Sequence, residues 1–169
     1  MKNNLRSSVL TAVFAALICV LTCYPSIPIP ATTEGYLHFG DSVIYLAACF
    51  LPTPLAIIAG SLGGGLADFI LAPQFIIYTV IIKAFISLPF SNKSSNILTK
   101  RNLLILPISG IITVSGYFFA EWIMAGSFAA AIGVLLPNFI QATGSSALFI
   151  LVGTALDKAG FKKRLGGSF

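Results

Sequence analysis

Between Ser7 and Leu156 only eight charged side chains interrupt 150 residues: Glu34, Asp41, Asp68, Lys83, Lys93, Lys100, Arg101 and Glu121. The intervals between them are apolar runs bounded by prolines, glycines and short polar segments. A helix needs about 20 mostly apolar residues to cross the hydrocarbon of a bilayer. A soluble domain carries roughly 25% charged residues and this chain 9%, too few to coat a water-facing surface. With 57% hydrophobic residues, the 169-residue chain is expected to be an all-α integral membrane protein, one domain of six transmembrane helices.

The runs place these helices at about 7–23, 41–51, 55–71, 74–90, 103–124 and 130–156. The first stops at Tyr24, where Pro25, Pro28 and Pro30 cannot continue a helix. An outer loop, 24–40, follows and contains Glu34, Tyr36 and His38; a loop this long in a compact domain is usually functional. The second run is short for a crossing and ends at Pro52 and Pro54.

Charge position sets orientation. Lys2 and Arg6 precede the first run, Lys93, Lys100 and Arg101 lie in one polar loop, and Lys158, Lys162, Lys163 and Arg164 follow the last run. With an even number of crossings all of them fall on one face, which the positive-inside rule makes cytoplasmic, together with both termini. The protein is therefore expected in the cell membrane as a multi-pass protein, without a nucleic-acid role. Removing the first run as a signal peptide would leave five helices and split the basic segments across both faces. Cys19, Cys23 and Cys49 sit in apolar runs and suggest packing, with neither a disulfide framework nor a metal site.

Ionisable side chains inside a bilayer are costly, so they face a cavity or a partner. Asp41 opens the second run, where a carboxylate caps free backbone N–H groups. Asp68 and Lys83, on neighbouring antiparallel helices, read as an ion pair. Glu121 has Tyr117 one turn before it and Trp122 beside it, an aromatic wall next to an acid that suits a flat polar ring; the two aromatics also fit an interfacial belt. Asn138, Gln141 and Ser145, at i, i+3 and i+7, lay amides and a hydroxyl along one stripe, which interhelical hydrogen bonding would equally explain. Acid, phenol and two amides make a recognition set without a nucleophile. The single histidine, His38, has no second ligand in metal-binding spacing, and the chain carries no P-loop or Gly-x-Ser-x-Gly sequence, so no enzyme is expected. Ala12 and Ala16, and Gly60 and Gly64, form small-x-x-x-small ridges that admit a neighbouring helix.

Thr33-Glu34-Gly35-Tyr36-Leu37-His38-Phe39-Gly40-Asp41, the segment Gly60 to Asp68, Ile81-Ile82-Lys83 and Pro137-Asn138-Phe139-Ile140-Gln141 together resemble the S components of energy-coupling factor (ECF) vitamin transporters. That resemblance implies a six-helix substrate-binding subunit that takes a small vitamin from outside and delivers it by toppling on a transmembrane coupling subunit. Two partner ATPases would spend ATP, and this chain would bind no cofactor. Within the family the sequence looks most like the hydroxymethylpyrimidine or vitamin B6 branch, ahead of riboflavin or another vitamin. The implied contacts to the substrate are Tyr36, His38, Tyr117, Glu121, Trp122, Asn138 and Gln141. Asp41, Asp68 and Lys83 would hold loop and helix ends, and Ala12 and Ala16 would meet the coupling subunit. The competing expectation is a stand-alone ion-coupled carrier using Asp68, Lys83 and Glu121 as a proton relay.

Overall fold

The computed structural model describes residues 2–28 and 36–164, with side chains from Leu5 onward; Glu34 and the Thr33-Glu34-Gly35 portion of the resemblance lie outside the described residues. Helix α1 runs Lys2–Cys23, α2 Gly40–Phe50, α3 Thr53–Leu71, α4 Ile76–Ser87 after a 3-10 turn at Pro73–Phe75, α5 Lys100–Ala125, α6 Phe128–Gly133, α7 Leu135–Lys158 and α8 Phe161–Arg164. Two short strands, β1 (Ile27–Pro28) and β2 (Tyr36–Leu37), pair antiparallel between α1 and α2, Ile27 opposite Leu37 and Pro28 opposite Tyr36.

Among the described residues four helical stretches are long and apolar enough to cross a membrane, namely Leu5–Cys23, Thr53–Leu71, Lys100–Ala125 and Phe128–Lys158; Gly40–Phe50 and Pro73–Ser87 are shorter. Of the six expected crossings, four therefore have the length of a full span, and the second and fourth are shorter. Prolines account for it. Pro52 and Pro54 follow α2, and Pro89 has no N–H with which to continue the ladder, so α4 stops at Ser87 instead of Phe90 although Leu88 keeps helical backbone. The last helix is likewise broken at Val134, since Pro137 offers no N–H and its ring crowds the Gly133 carbonyl. Helix α5 starts earlier than expected because the Thr99 side chain caps it, accepting from Asn102 N at 3.1 Å.

Helix α2 is the hub. All eleven of its residues are buried, as an all-round apolar helix requires, and it packs against α1, α3, α4 and α7. Tyr45 stacks on Phe90 and meets Phe149 edge-on, with ring centroids 5.1 and 5.9 Å away. Glycines let α3 sit close to its neighbours. A Cβ on Gly63 would lie 2.6 Å from the Ala15 carbonyl oxygen, and one on Gly64 2.9 Å from Lys83 Cγ. The Gly60 and Gly64 ridge thus admits α4, whereas Ala12 and Ala16 remain exposed on the free face of α1.

At the end away from the strands, the segment between α4 and α5 is tied down. The Asp157 carboxylate accepts from Ile97 N at 2.7 Å and Leu98 N at 2.9 Å. Asn102 Nδ2 donates to the Ser91 and Ile97 carbonyls at 3.0 and 2.9 Å, and Lys162 Nζ to the Asn92 carbonyl at 2.7 Å.

Candidate ligand-binding site

The strand end of the bundle holds a polar cavity lined by Tyr36, His38, Asp68, Phe75, Tyr117, Glu121, Val134, Asn138 and Gln141. About 420 Å³ of space lies between its walls when the open mouth is included. Helix α3 supplies Asp68, the 3-10 turn Phe75, α5 Tyr117 and Glu121, and α7 Asn138 and Gln141, while β2 and the residue after it bring Tyr36 and His38 across the top.

Tyr36, Asp68, His38, Gln141, Tyr117 and Asn138 are each held by a specific partner. The Tyr36 hydroxyl donates to Asp68 Oδ1 in a short hydrogen bond that fastens β2 to α3. Burial, then the Asp68 carboxylate, pushes the Tyr36 phenol far above its ordinary range, so it stays a donor. His38 N donates to Gln141 Oε1 at 3.1 Å, and Gly40 N donates to His38 Nδ1 at 3.1 Å. With Nδ1 accepting, the hydrogen of the neutral ring resides on Nε2. Burial, reinforced by Lys83 and opposed by Asp41, lowers the His38 pKa from 6.5 to about 3, so the imidazole is uncharged at neutral pH. Thr79 Oγ1 and Tyr117 OH lie 3.0 Å apart, and the Tyr117 ring stands edge-on to Phe75 at 6.3 Å between centroids. Asn138 Nδ2 donates to the Val134 carbonyl at 2.8 Å, which ties this amide to the break before α7.

Beneath the cavity Lys83 Nζ bonds Asp41 Oδ1 at 2.5 Å, and Gln141 Nε2 reaches Asp41 Oδ2 at 3.4 Å. Two expectations are corrected here. Lys83 pairs with Asp41 and not with Asp68, because Gly64 leaves room for the lysine stem to cross α3 toward α2. Asp41 makes no side-chain cap for α2; its carboxylate is committed to Lys83, although its place in the first turn still complements the helix dipole.

Six of the seven contacts expected from sequence line this cavity: Tyr36, His38, Tyr117, Glu121, Asn138 and Gln141. Trp122 does not. It is 42% exposed and sits with Phe118, Phe119 and Phe128 on the outer surface, since consecutive helix residues point about 100° apart and Glu121 takes the inward position. Ser145 is buried below the lining. Asp68, read as a support, is in the wall, and Phe75 and Val134 are additions. An aromatic just after Ala72-Pro73 was the available signal for Phe75; an aliphatic such as Val134 gave none.

A larger furrow between α5, α6 and α7 has carbon walls, and its hydroxyls are spent on their own helices: Ser115 on Ile111 O, Thr143 on Phe139 O and Ser146 on Ala142 O. It is an apolar surface that offers nothing to orient a polar ligand.

A sequence model of the family described as ECF-type riboflavin transporter, S component, matches residues 2–159. An uncharacterised protein of Pyrococcus woesei is 32% identical over 152 residues, which span 88% of this chain and 97% of that protein. A solved structure described as the S component of a bacterial ECF transporter matches with a TM-score of 0.72 at 22% identity, covering 94% of this chain and 98% of that one; at that identity the likeness is one of fold.

Proposed function

We infer the role of this chain from its family: it belongs to the ECF-type riboflavin transporter S components. It is a substrate-binding transport subunit and not an enzyme. Beyond that, we propose that it captures a small heterocyclic vitamin or vitamin precursor in the cavity beneath β2. Tyr117 and Phe75 would flank the ring, Glu121, Asn138 and Gln141 would pair with its polar edge, and Tyr36 and His38 would cover it. The observation that carries this reading is the convergence of six polar or aromatic side chains from the strand segment, α5 and α7 on one small cavity.

Within the family the sequence's likeness to the hydroxymethylpyrimidine or vitamin B6 branch favours a single-ring substrate, a pyridoxine-type B6 vitamer or hydroxymethylpyrimidine. The part of the cavity wide enough for the centre of a water molecule is about 30 Å³, so even such a ring needs the strand segment to lift. The family's own description favours riboflavin as the second reading. The cavity faces outward and both termini are cytoplasmic in this proposal, with α2 and Pro73–Ser87 completing six crossings as short, protein-wrapped spans. Ala12 and Ala16, exposed on α1, would meet a transmembrane coupling subunit, and partner ATPases would spend the ATP. This chain would bind no cofactor. The stand-alone carrier is not pursued, because Lys83 is committed to Asp41 and cannot relay protons between Asp68 and Glu121.

Mass spectrometry of the molecule released on denaturing protein purified from rich medium identifies the substrate. Titration of that molecule into Glu121→Ala and Asn138→Ala tests the site: losses of about tenfold or more are expected from a lost buried hydrogen bond, and a change within about twofold rejects the assignment.

A further inference from the structure

Thr79, in the first turns of α4, is buried and does not line the cavity, yet its hydroxyl lies 3.0 Å from that of Tyr117, which does. Elsewhere in the bundle helix hydroxyls turn back on their own carbonyls: Thr11 on Ser7, Ser87 on Lys83 and Thr154 on Ile150. Thr79 faces its neighbours instead. Its methyl carbon packs at Gly64, where a Cβ would lie 3.1 Å from it, and Asp68 is the residue one turn further along α3. The Thr79 side chain is thereby within hydrogen-bonding reach of the Asp68 carboxyl. Tyr36 occupies Oδ1 of that carboxyl, and Oδ2 is buried without another partner, which leaves it for Thr79. A hydroxyl has one hydrogen and accepts as well, so Thr79 between a phenol and a carboxyl passes a hydrogen bond on. With the carboxyl ionised, Tyr117 donates to Thr79 and Thr79 to Asp68; with it protonated on Oδ2, the same row runs in reverse. In either sense each bond polarises and orients the next.

Resting on the reading of this cavity as a ligand site covered by β2, we propose that Thr79 is a positioning residue that couples the wall at Tyr117 to the latch between Tyr36 and Asp68. It holds the Asp68 carboxyl in the orientation that the Tyr36 hydroxyl needs, and Tyr117 in turn holds Thr79. The cover is therefore fastened partly from α5, through a side chain that does not line the space inside.

The test is hydrogen exchange at Tyr36 through Gly40 in the full chain in detergent with no ligand added, so it does not depend on which molecule the cavity takes. Thr79→Val, which keeps the shape and removes the hydroxyl, is expected to speed exchange there about tenfold, the scale of one lost buried hydrogen bond, while Thr79→Ser stays within about twofold of the parent. Tyr117→Phe is expected to speed it comparably in the parent and to add nothing in the Thr79→Val background. Exchange at residues 93–99, at the other end of the bundle, stays at the parent's rate in every variant. Equal factors for Tyr117→Phe in the two backgrounds overturn the inference, because Tyr117 would then act on the cover without Thr79. Parent-like exchange in Thr79→Val or in Tyr117→Phe, or Thr79→Ser behaving like Thr79→Val, overturns it too, and faster exchange at both ends does so as a general loosening. Should Thr79→Val not fold, Thr79→Ala takes its place in the same comparison. The vitamin-capture reading stands or falls separately, on the titrations at Glu121 and Asn138.

Discussion

Lys83 Nζ and Asp41 Oδ1 lie 2.5 Å apart with both side chains sealed inside the bundle. The pair joins α4 to the first turn of α2, and Gln141 extends it to α7 and, through its Oε1, to the backbone of His38. One ionic contact thus fixes the floor of the cavity and, by a single amide, the segment that covers it.

Removing either partner leaves a buried charge uncompensated. Lys83→Met or Asp41→Leu is expected to destabilise the protein by about 3–5 kcal/mol, and the Lys83→Met, Asp41→Leu double substitution to recover most of that, because a well-packed apolar replacement of a buried pair is often neutral. Thermal unfolding in detergent, read as a double-mutant cycle, measures the coupling; simple additivity of the two losses would contradict it.

Gln141 is the hinge between floor and cover. Gln141→Leu keeps the volume but frees the His38 N–H and removes a donor from Asp41. A substrate affinity loss of about tenfold is expected, with faster hydrogen exchange confined to Tyr36 through Gly40. Unchanged exchange there would show that the strand segment is held by the Tyr36 to Asp68 bond alone.

His38 gives the fold a defined acid dependence. Its pKa is 6.5 ordinarily and about 3 in the protein, so the unfolded chain takes up the proton first. Its contribution is complete above pH 6.5 and drains as pH falls from there toward about 3, at up to about 1.4 kcal/mol per pH unit. Melting temperatures taken from pH 7.5 to 4.5 should drop more steeply for the parent than for His38→Gln, and parallel curves would refute the neutral, buried imidazole.

Much of this architecture was readable from the apolar runs, because a bilayer imposes one length scale on every crossing and the prolines mark the ends. The stripe of Asn138 and Gln141 and the inward Glu121 were readable for the same reason, since helical spacing assigns faces. Trp122 was misassigned against that same rule, and the sequence held the means to avoid it. The partner of Lys83 was not legible. Choosing Asp41 over Asp68 depends on which helix lies behind Gly64, a fact of tertiary packing with no local signal. The Tyr36 to Asp68 bond is hidden likewise, linking residues 32 positions apart across a loop whose path no periodicity defines.

Glycine placement on α3 and α6 should divide tolerated from damaging methyl groups. Gly63→Ala would put a Cβ 2.6 Å from the Ala15 carbonyl oxygen and 2.7 Å from Ile18 Cβ, where backbone must move, and should cost about 1–3 kcal/mol by overpacking. Gly133→Ala meets nothing within 4 Å and should be neutral or stabilising by a few tenths to about 1 kcal/mol. Equal melting temperatures for the two variants would mean that α1 and α3 are not in close contact.

The two ends of the bundle should respond independently. Asp157 holds the backbone N–H groups of Ile97 and Leu98, far along α7 from Asn138, and Lys162 seals the same segment through the Asn92 carbonyl. Asp157→Ala strands two donors, which should cost about 1–3 kcal/mol and open residues 93–99 to protease and to hydrogen exchange. Substrate affinity should stay within about twofold of the parent, because Asp157 lies more than four turns along α7 from the lining residues Asn138 and Gln141. A large affinity loss would instead mean that the segment between α4 and α5 and the ligand site share one cooperative unit, coupled through the central helix α2.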